Sequence, residues 1–175
     1  MENLKKWLKK IMFNEIVIAI IIALLLKNFV VDSRYIPSSS MYPTLQIQDR
    51  LLINKLSPRF GEFERGDIII FRPPPSVAVR SDHVKRLIAL PGDIVEVSSG
   101  VLYINGEAVQ EDFIYEVMLY ELPPIEVPEN SLFVLGDNRN WSQDSHRWAD
   151  WVTKDDVRGT VFFRYWPFDR FGRVE

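Results

Sequence analysis

Hydrophobic positions divide this chain into two unlike parts. Residues 16–26 are eleven uninterrupted apolar residues. That run is long for a strand and short of the about 20 residues a membrane-crossing helix needs. Extended to 11–31 it reaches 21 residues, with Asn14, Glu15, Lys27 and Asn28 near its two ends. Lysine at such a position snorkels to the headgroups. After residue 31 the apolar runs shorten. Those at 51–54 and 67–71 are rich in isoleucine and leucine, are bounded by turn residues, and predict strands. Residues 94–97 alternate around Glu96, Ser98-Ser99-Gly100 turns the chain, and 101–104 return it. Asn105-Gly106 is a two-residue hairpin turn. Residues 131–135 and 160–166 add further strands. Outside 11–31 no long stretch keeps a 3.6-residue period. Eleven prolines, among them Pro73-Pro74-Pro75 and Pro123-Pro124, mark loops. The pattern predicts one N-terminal helix and then a mainly β domain, with antiparallel sheets forming a partly barrel-like core. Residues from about 94 to 130 form a subsidiary lobe in this reading.

Composition changes the picture at the N-terminus. Of 175 residues 47% are hydrophobic, enough for one domain with an anchor. The net charge of −3 is uneven, because residues 1–31 carry +3 and leave −6 for the rest. An acidic domain with no basic stripe is a poor nucleic-acid binder. Lys5, Lys6, Lys9 and Lys10 before the apolar span set the N-terminus on the cytoplasmic side. The expected organisation is a basic cytoplasmic segment at 1–10, a transmembrane anchor at 11–31 and an extracytoplasmic β domain at 32–175. A cleaved secretory leader has the same charged start, and would leave a secreted β protein. However, Lys-Asn-Phe-Val-Val-Asp follows Leu26 and offers no A-x-A site. A buried soluble helix fits the basic flank poorly. With no cysteine and two histidines, the chain has no disulfide and little means to hold zinc.

Candidate chemistry begins at 37–45, PSSSMYPTL. Three serines sit between Pro37 and Pro43, which stiffen the segment. Ser38 and Ser40 are two apart, so an extended backbone brings both hydroxyls to one face. A serine needs a base, either histidine or a neutral lysine. His83 and Lys85 lie together in 81–90. If that run is a strand, His83, Lys85, Leu87 and Ala89 share one face, and Asp82, Val84, Arg86 and Ile88 the other. Lysine ordinarily titrates near about 10.4, and burial among apolar groups is the strongest way to bring it down. His146, beside Asp144 and Ser145, offers a Ser-His-Asp alternative, as does His83.

Four segments together make a more specific pattern. PSSSMYPTL resembles P-S-x-S-M-x-P-T-L. Residues 65–71, RGDIIIF, resemble R-G-D-I-V-V-F. Residues 83–93, HVKRLIALPGD, resemble Y-x-K-R-x-x-x-x-P-G-D. Residues 136–146, GDNRNWSQDSH, resemble G-D-N-R-x-x-S-x-D-S-R/H. In that order they resemble the boxes of the bacterial type I signal peptidases, the Ser-Lys leader peptidases of peptidase family S26, with their cyanobacterial and thylakoidal relatives. The resemblance runs from the anchor to Trp166. It implies Ser40 as nucleophile, Lys85 as general base, Ser38 as oxyanion-hole donor and Ser142 as the residue that orients the lysine. It implies structural support from Arg86, Asp137, Arg139 and Asp144, and a substrate pocket near Ile36, Met41, Leu45 and Val84. His83, Asn140, Trp141 and His146 depart from the commonest residues of the pattern. The implied fold is the signal-peptidase β fold. The implied activity is removal of signal peptides from exported preproteins after small residues, with no metal or organic cofactor. The partners are signal peptides and the lipid bilayer, not nucleic acid, and the protein acts as a monomer. The implied location is a plasma or thylakoid membrane, crossed once, with the β domain on the outer or lumenal side. Trp166, Phe168 and Phe171 belong either to the membrane interface or to a buried end of the core.

Two other classes remain to be separated. A membrane-tethered binding module with this fold would lack Ser40 or Lys85, and both are present. A self-cleaving Ser-Lys repressor would carry a regulatory N-terminus in place of a lysine-flanked apolar span.

Overall fold

The computed structural model describes residues 2–61 and 63–174, the side chains of 2–13 excepted. The lysines read as a cytoplasmic flank and residues 11–13 of the expected anchor therefore have side chains outside the described residues. Helix α1 runs Glu2–Phe29. The sequence carries the anchor on to Val31, but the helix stops earlier and Val31 opens the first strand. The stop has a physical cause. Lys55 Nζ donates to the Asn28 carbonyl at 2.6 Å and Lys55 N–H donates to the Val30 carbonyl at 2.8 Å. These bonds satisfy carbonyls that a helix end leaves open, and β-branched Val30 and Val31 favour extended backbone. The described side chains of α1 are exposed throughout, Ile16 to Leu26 standing 36% to 57% open where large and apolar. Among the described residues no helix is long and apolar enough to cross a membrane.

Beyond α1 the chain is mainly β and antiparallel. The strands are β1 Val31–Tyr35, β2 Arg50–Asn54, β3 Ile68–Phe71, β4 His83–Ala89, β5 Ile94–Ser98, β6 Val101–Ile104, β7 Glu107–Ala108, β8 Leu122–Glu126, β9 Ser131–Leu135, β10 Val152–Thr153, β11 Val157–Trp166 and β12 Gly172–Arg173. A large curled sheet has the order β1-β2-β11-β3-β4-β9-β10, with β12 paired to β11. A second sheet has the order β7-β6-β5-β8. Strand β11 bridges three partners because register shifts at 157/159, 161/163 and 164/166 bend it.

The short apolar runs are strands buried on both faces. In β3, Ile68 and Ile70 enter a cluster with Ile36, Met41, Leu45, Leu51 and Ile53. Ile69 and Phe71 enter another with Leu87, Leu132 and Val134. In β9, Phe133 and Leu135 turn to a third cluster, shared with Val95, Val97, Leu102 and Ile104 of the second sheet. Truncating any of these leucines to alanine costs about 2–5 kcal/mol, so the sheet that carries β4 is stiff.

Two sequence expectations need correction. Pro123-Pro124 lie in strand β8 rather than in a loop. They are tolerated because β8 is an edge strand, and they fall where its register with β5 shifts. Ala89 does not share the face of Lys85. A shift in pairing between Leu87 and Ala89 turns Ala89 toward Phe133 and the third cluster.

Candidate active site

Segment 37–45 lies between β1 and β2 and folds as a chain of turns, not as the extended run expected for Ser38 and Ser40. Tyr42 N–H donates to the Ser39 carbonyl at 3.0 Å and Leu45 N–H to the Met41 carbonyl at 2.8 Å. The turns still bring the two hydroxyls together, Ser38 Oγ lying 3.4 Å from Ser40 Oγ. Met41 and Leu45 are buried in the core beneath, so the segment is pinned by its apolar members. Its polar members hold it as well. Thr44 Oγ1 donates to Asp137 at 2.6 Å, and Arg164 donates to the Thr44 carbonyl at 2.9 Å.

Lys85 reaches Ser40 from β4. Its Nζ donates to Ser40 Oγ at 2.6 Å, and the residue is 3% exposed. Strand pairing sets Lys85 opposite Ile69, on the face of Leu87. Burial pulls its ammonium down to about 8, against the upward pull of the Asp144 and Asp137 carboxylates. At pH 7 about one Lys85 in ten is then neutral, against fewer than one in a thousand for an ordinary lysine. Neither histidine takes this position. His83 Nδ1 donates to the Ser81 carbonyl at 2.9 Å, and its ring packs against Phe71 and Trp148. His146 Nε2 accepts from Arg147 at 2.9 Å, so its proton sits on Nδ1, which donates to Asp144 at 2.5 Å. Ser40 Oγ has Lys85 and Ser38 as its partners among the described residues.

Behind the pair stands segment 136–146. Asp137 is fully buried and accepts two hydrogen bonds from the Arg86 guanidinium, at 2.9 and 2.8 Å. Arg86 also lies over the Phe113 ring, 3.9 Å from its centre. Arg139, fully buried, pairs with Glu111, one contact being 2.6 Å, and donates to the Gly136 carbonyl at 3.1 Å. Asp144 accepts from Gly136 N–H at 2.9 Å. Ser142 is buried, and its Oγ has no hydrogen-bond partner among the described residues. The expected bond from Ser142 to the lysine is therefore not made here. Gly136 packs where no side chain fits. A Cβ there would lie 2.3 Å from the Ser40 carbonyl oxygen and 2.4 Å from Ser142 Oγ.

Residues 5–166 match the family described as signal peptidase, peptidase S26. The chain belongs to the signal peptidase family. It is thus an enzyme of the signal peptidase I class, a serine peptidase and hydrolase. A Synechocystis sp. protein named probable signal peptidase I-2 is 46% identical over 159 residues, covering 89% of this chain and 72% of that one. Signal peptidase I of Leptolyngbya laminosa is 40% identical, covering 90% of this chain and 79% of that one. Thylakoidal processing peptidase 1 of Arabidopsis thaliana is also 40% identical, over 85% of this chain and 46% of that longer one.

In this signal peptidase a cleft of about 400 Å³ lies beside Ser40 and Lys85. Ile36, Met41, Ile70 and Val84 line its apolar wall. Leu45 is not in that lining and sits behind it, fully buried in the core. Sequence reasoning missed three contributors. Asn138 holds the segment from behind, its N–H donating to the Ser40 carbonyl and its Nδ2 to the Ser39 carbonyl, both at 3.1 Å. Asp49, fully buried, is gripped by Arg170 at 2.6 Å and Arg164 at 3.4 Å, fixing the turn that follows Leu45. Gly136 is the third. Only Gly136 and Asn138 carried a signal, as fixed letters of the fourth box.

Proposed function

We propose that this protein is a membrane-anchored serine endopeptidase that removes signal peptides from exported preproteins through a Ser40–Lys85 dyad. One observation carries the reading. A buried lysine brought down to about 8 donates to the hydroxyl of a turn-held serine at 2.6 Å. In the neutral fraction the roles reverse, and Lys85 Nζ accepts the Ser40 proton as Oγ attacks the scissile carbonyl. The oxyanion is met by the Ser40 N–H and the Ser38 hydroxyl. Lys85 then passes its proton to the leaving amine, and the acyl-enzyme forms. A water deprotonated by Lys85 attacks that ester, and the proton returns to Ser40 Oγ as the signal peptide leaves. Losing one oxyanion donor typically costs about 2.7–4 kcal/mol of transition-state stabilisation.

Substrate choice follows from the cleft. Ile36, Met41 and Val84 leave a shallow apolar wall that accepts small side chains one and three residues before the cut. A methyl group or two of misfit is worth about 1–3 kcal/mol, so the preference is graded. The helical part of segment 11–31, which ends at Phe29, acts as the anchor. Its support is the exposed apolar surface of α1 at 16–26 and the basic residues at both ends. Residues 1–10 then stay in the cytoplasm, and 32–175 work as a monomer on the outer or lumenal face of a plasma or thylakoid membrane. The name of the thylakoidal relative is consistent with the thylakoid alternative.

The test is purified full-length protein in detergent, given a preprotein whose leader ends in A-x-A. The wild type cuts after the second alanine. Ser40→Ala leaves the preprotein whole. An intact preprotein with the wild type, under conditions where an authentic signal peptidase cuts it, overturns the reading.

A further inference from the structure

A second groove, of about 440 Å³, opens at the foot of helix α1. Its charged lining is Arg34, Lys55, Arg59, Lys154 and Arg158, against the single carboxylate Asp155. Five cations on one groove stand out, since residues 32–175 carry a net −6. Part of this charge is already matched, because Arg34 contacts Asp32 at 2.6 Å and Asp82 at 3.7 Å. No described carboxylate pairs with Arg59, Lys154 or Arg158. Three adjacent guanidinium and ammonium groups then repel one another across the groove unless an anion joins them.

The groove also has a fixed depth relative to the anchor. Lys55 Nζ donates to the Asn28 carbonyl, two residues past the end of the apolar run at 16–26. Two residues of helix are about 3 Å of rise. If 16–26 lie in hydrocarbon, Lys27 and Asn28 lie among the headgroups, and the Lys55 edge of the groove lies there too. Cations at that depth attract anionic headgroups, and guanidinium groups suit phosphate oxygens in particular.

We propose that this groove binds the headgroup of an anionic lipid, with Arg59, Lys154 and Arg158 on its phosphate and Lys55 tying the site to the anchor. The inference rests on the anchor reading given above. It gives the catalytic domain a second hold on the membrane. Arg34 lines both this groove and the substrate cleft, so the same hold orients the cleft.

Native mass spectrometry of the full chain in neutral detergent tests it, with phosphatidylglycerol and phosphatidylcholine of equal acyl chains as probes. The wild type retains phosphatidylglycerol about tenfold over phosphatidylcholine. The triple variant Arg59→Glu, Lys154→Glu, Arg158→Glu loses that preference and still cleaves preprotein in detergent. A milder Arg59→Gln, Lys154→Gln, Arg158→Gln variant, with an unchanged melting temperature, loses part of it. Equal retention of both lipids by the wild type, or undiminished preference in both variants, overturns the proposal. Inorganic phosphate at about 50 mM, close to physiological ionic strength, leaves the lipid bound. Displacement by phosphate assigns the groove to a free anion and overturns the lipid assignment. Carbonate extraction of membranes reads the anchor separately. Release of the wild type there breaks the anchor reading, whatever the lipid result.

Discussion

Lys85 and Arg86 are neighbours on one strand, both cationic and each 3% exposed, yet they meet opposite fates. Arg86 faces Ile68 and gives two hydrogen bonds to a buried carboxylate. Its charge is matched, and a guanidinium does not release its proton in any case. Lys85 faces Ile69 and donates to a neutral hydroxyl, while its carboxylates act only from a distance. Burial acts on both residues. What separates them is the partner within hydrogen-bond reach, and the period-2 alternation of β4 assigns each residue its own.

The largest effect expected from this contrast is on turnover. Lys85→Met lowers kcat by about 10²–10⁴-fold, the range of a lost general base. Lys85→Arg is as inactive, since it keeps the charge and loses the titration. Single-turnover cleavage of a preprotein measures both, and an active Arg variant breaks the comparison. Stability moves the other way. Between about pH 8 and the ordinary lysine value of 10.5 the unfolded chain holds a proton that the folded chain has shed. Wild-type stability therefore rises across that window. Below pH 8 the folded protein carries a buried ammonium, at a cost of about 3 kcal/mol. Lys85→Met removes that cost, so its gain over wild type in denaturant midpoint is greatest below pH 8 and fades toward pH 10.

Arg86→Met takes the contrast from the other side. It leaves Asp137 buried with its cation gone, which destabilises the fold by about 3–5 kcal/mol. Urea unfolding reads the loss. A change under about 1 kcal/mol means the pair is replaceable, as some buried pairs are. Next in size is Asp144→Asn. The Asp144 carboxylate holds Lys85 up, so its neutralisation lowers the lysine further. The rising limb of the pH–rate profile then moves to lower pH, while the amide carbonyl keeps the Gly136 N–H bonded. A limb that moves up instead assigns the pull on Lys85 to another group.

Much of this architecture is legible in local sequence, and the reasons differ by element. β3 and β9 announce themselves because strands buried on both faces are written as continuous apolar runs. Asn105-Gly106 is legible because both residues take positive φ, 55° and 81°, which a two-residue hairpin requires. β1 is not legible. Its sequence VDSRY has no apolar alternation, and it pairs with β2 as an edge of the sheet. β8 hides behind two prolines for a similar reason, since an edge strand needs fewer of its N–H groups. At the site, Ser40 and Lys85 could be singled out, but not the turns that join Ser38 to Ser40. Those turns depend on Asn138, 98 residues beyond Ser40 in sequence, and on the lack of a side chain at Gly136, where the Ser40 carbonyl packs. Long-range contacts of this kind leave no periodic trace. Nor did the sequence separate the partners of Arg139 from those of Arg86, because Glu111 lies outside all four boxes.

The smallest effect belongs to Ser142, and it sharpens the comparison furthest. Its hydroxyl is buried beside Gly136 without a partner, a state that costs free energy. Ser142→Ala removes an unsatisfied group and adds none, so melting temperature stays within about 2 °C of wild type or rises slightly. Turnover behaves differently if the hydroxyl accepts from Lys85 once substrate fills the cleft. A base left to swing by even a fraction of an ångström loses rate, and a fall in kcat of about tenfold follows with KM little changed. Ser142→Thr, which keeps the hydroxyl, recovers part of that loss where the added methyl fits. A loss of activity at constant stability marks Ser142 as the residue that positions Lys85. Unchanged activity in Ser142→Ala makes it a turn residue only, and leaves Ser40 as the one polar contact that separates Lys85 from Arg86.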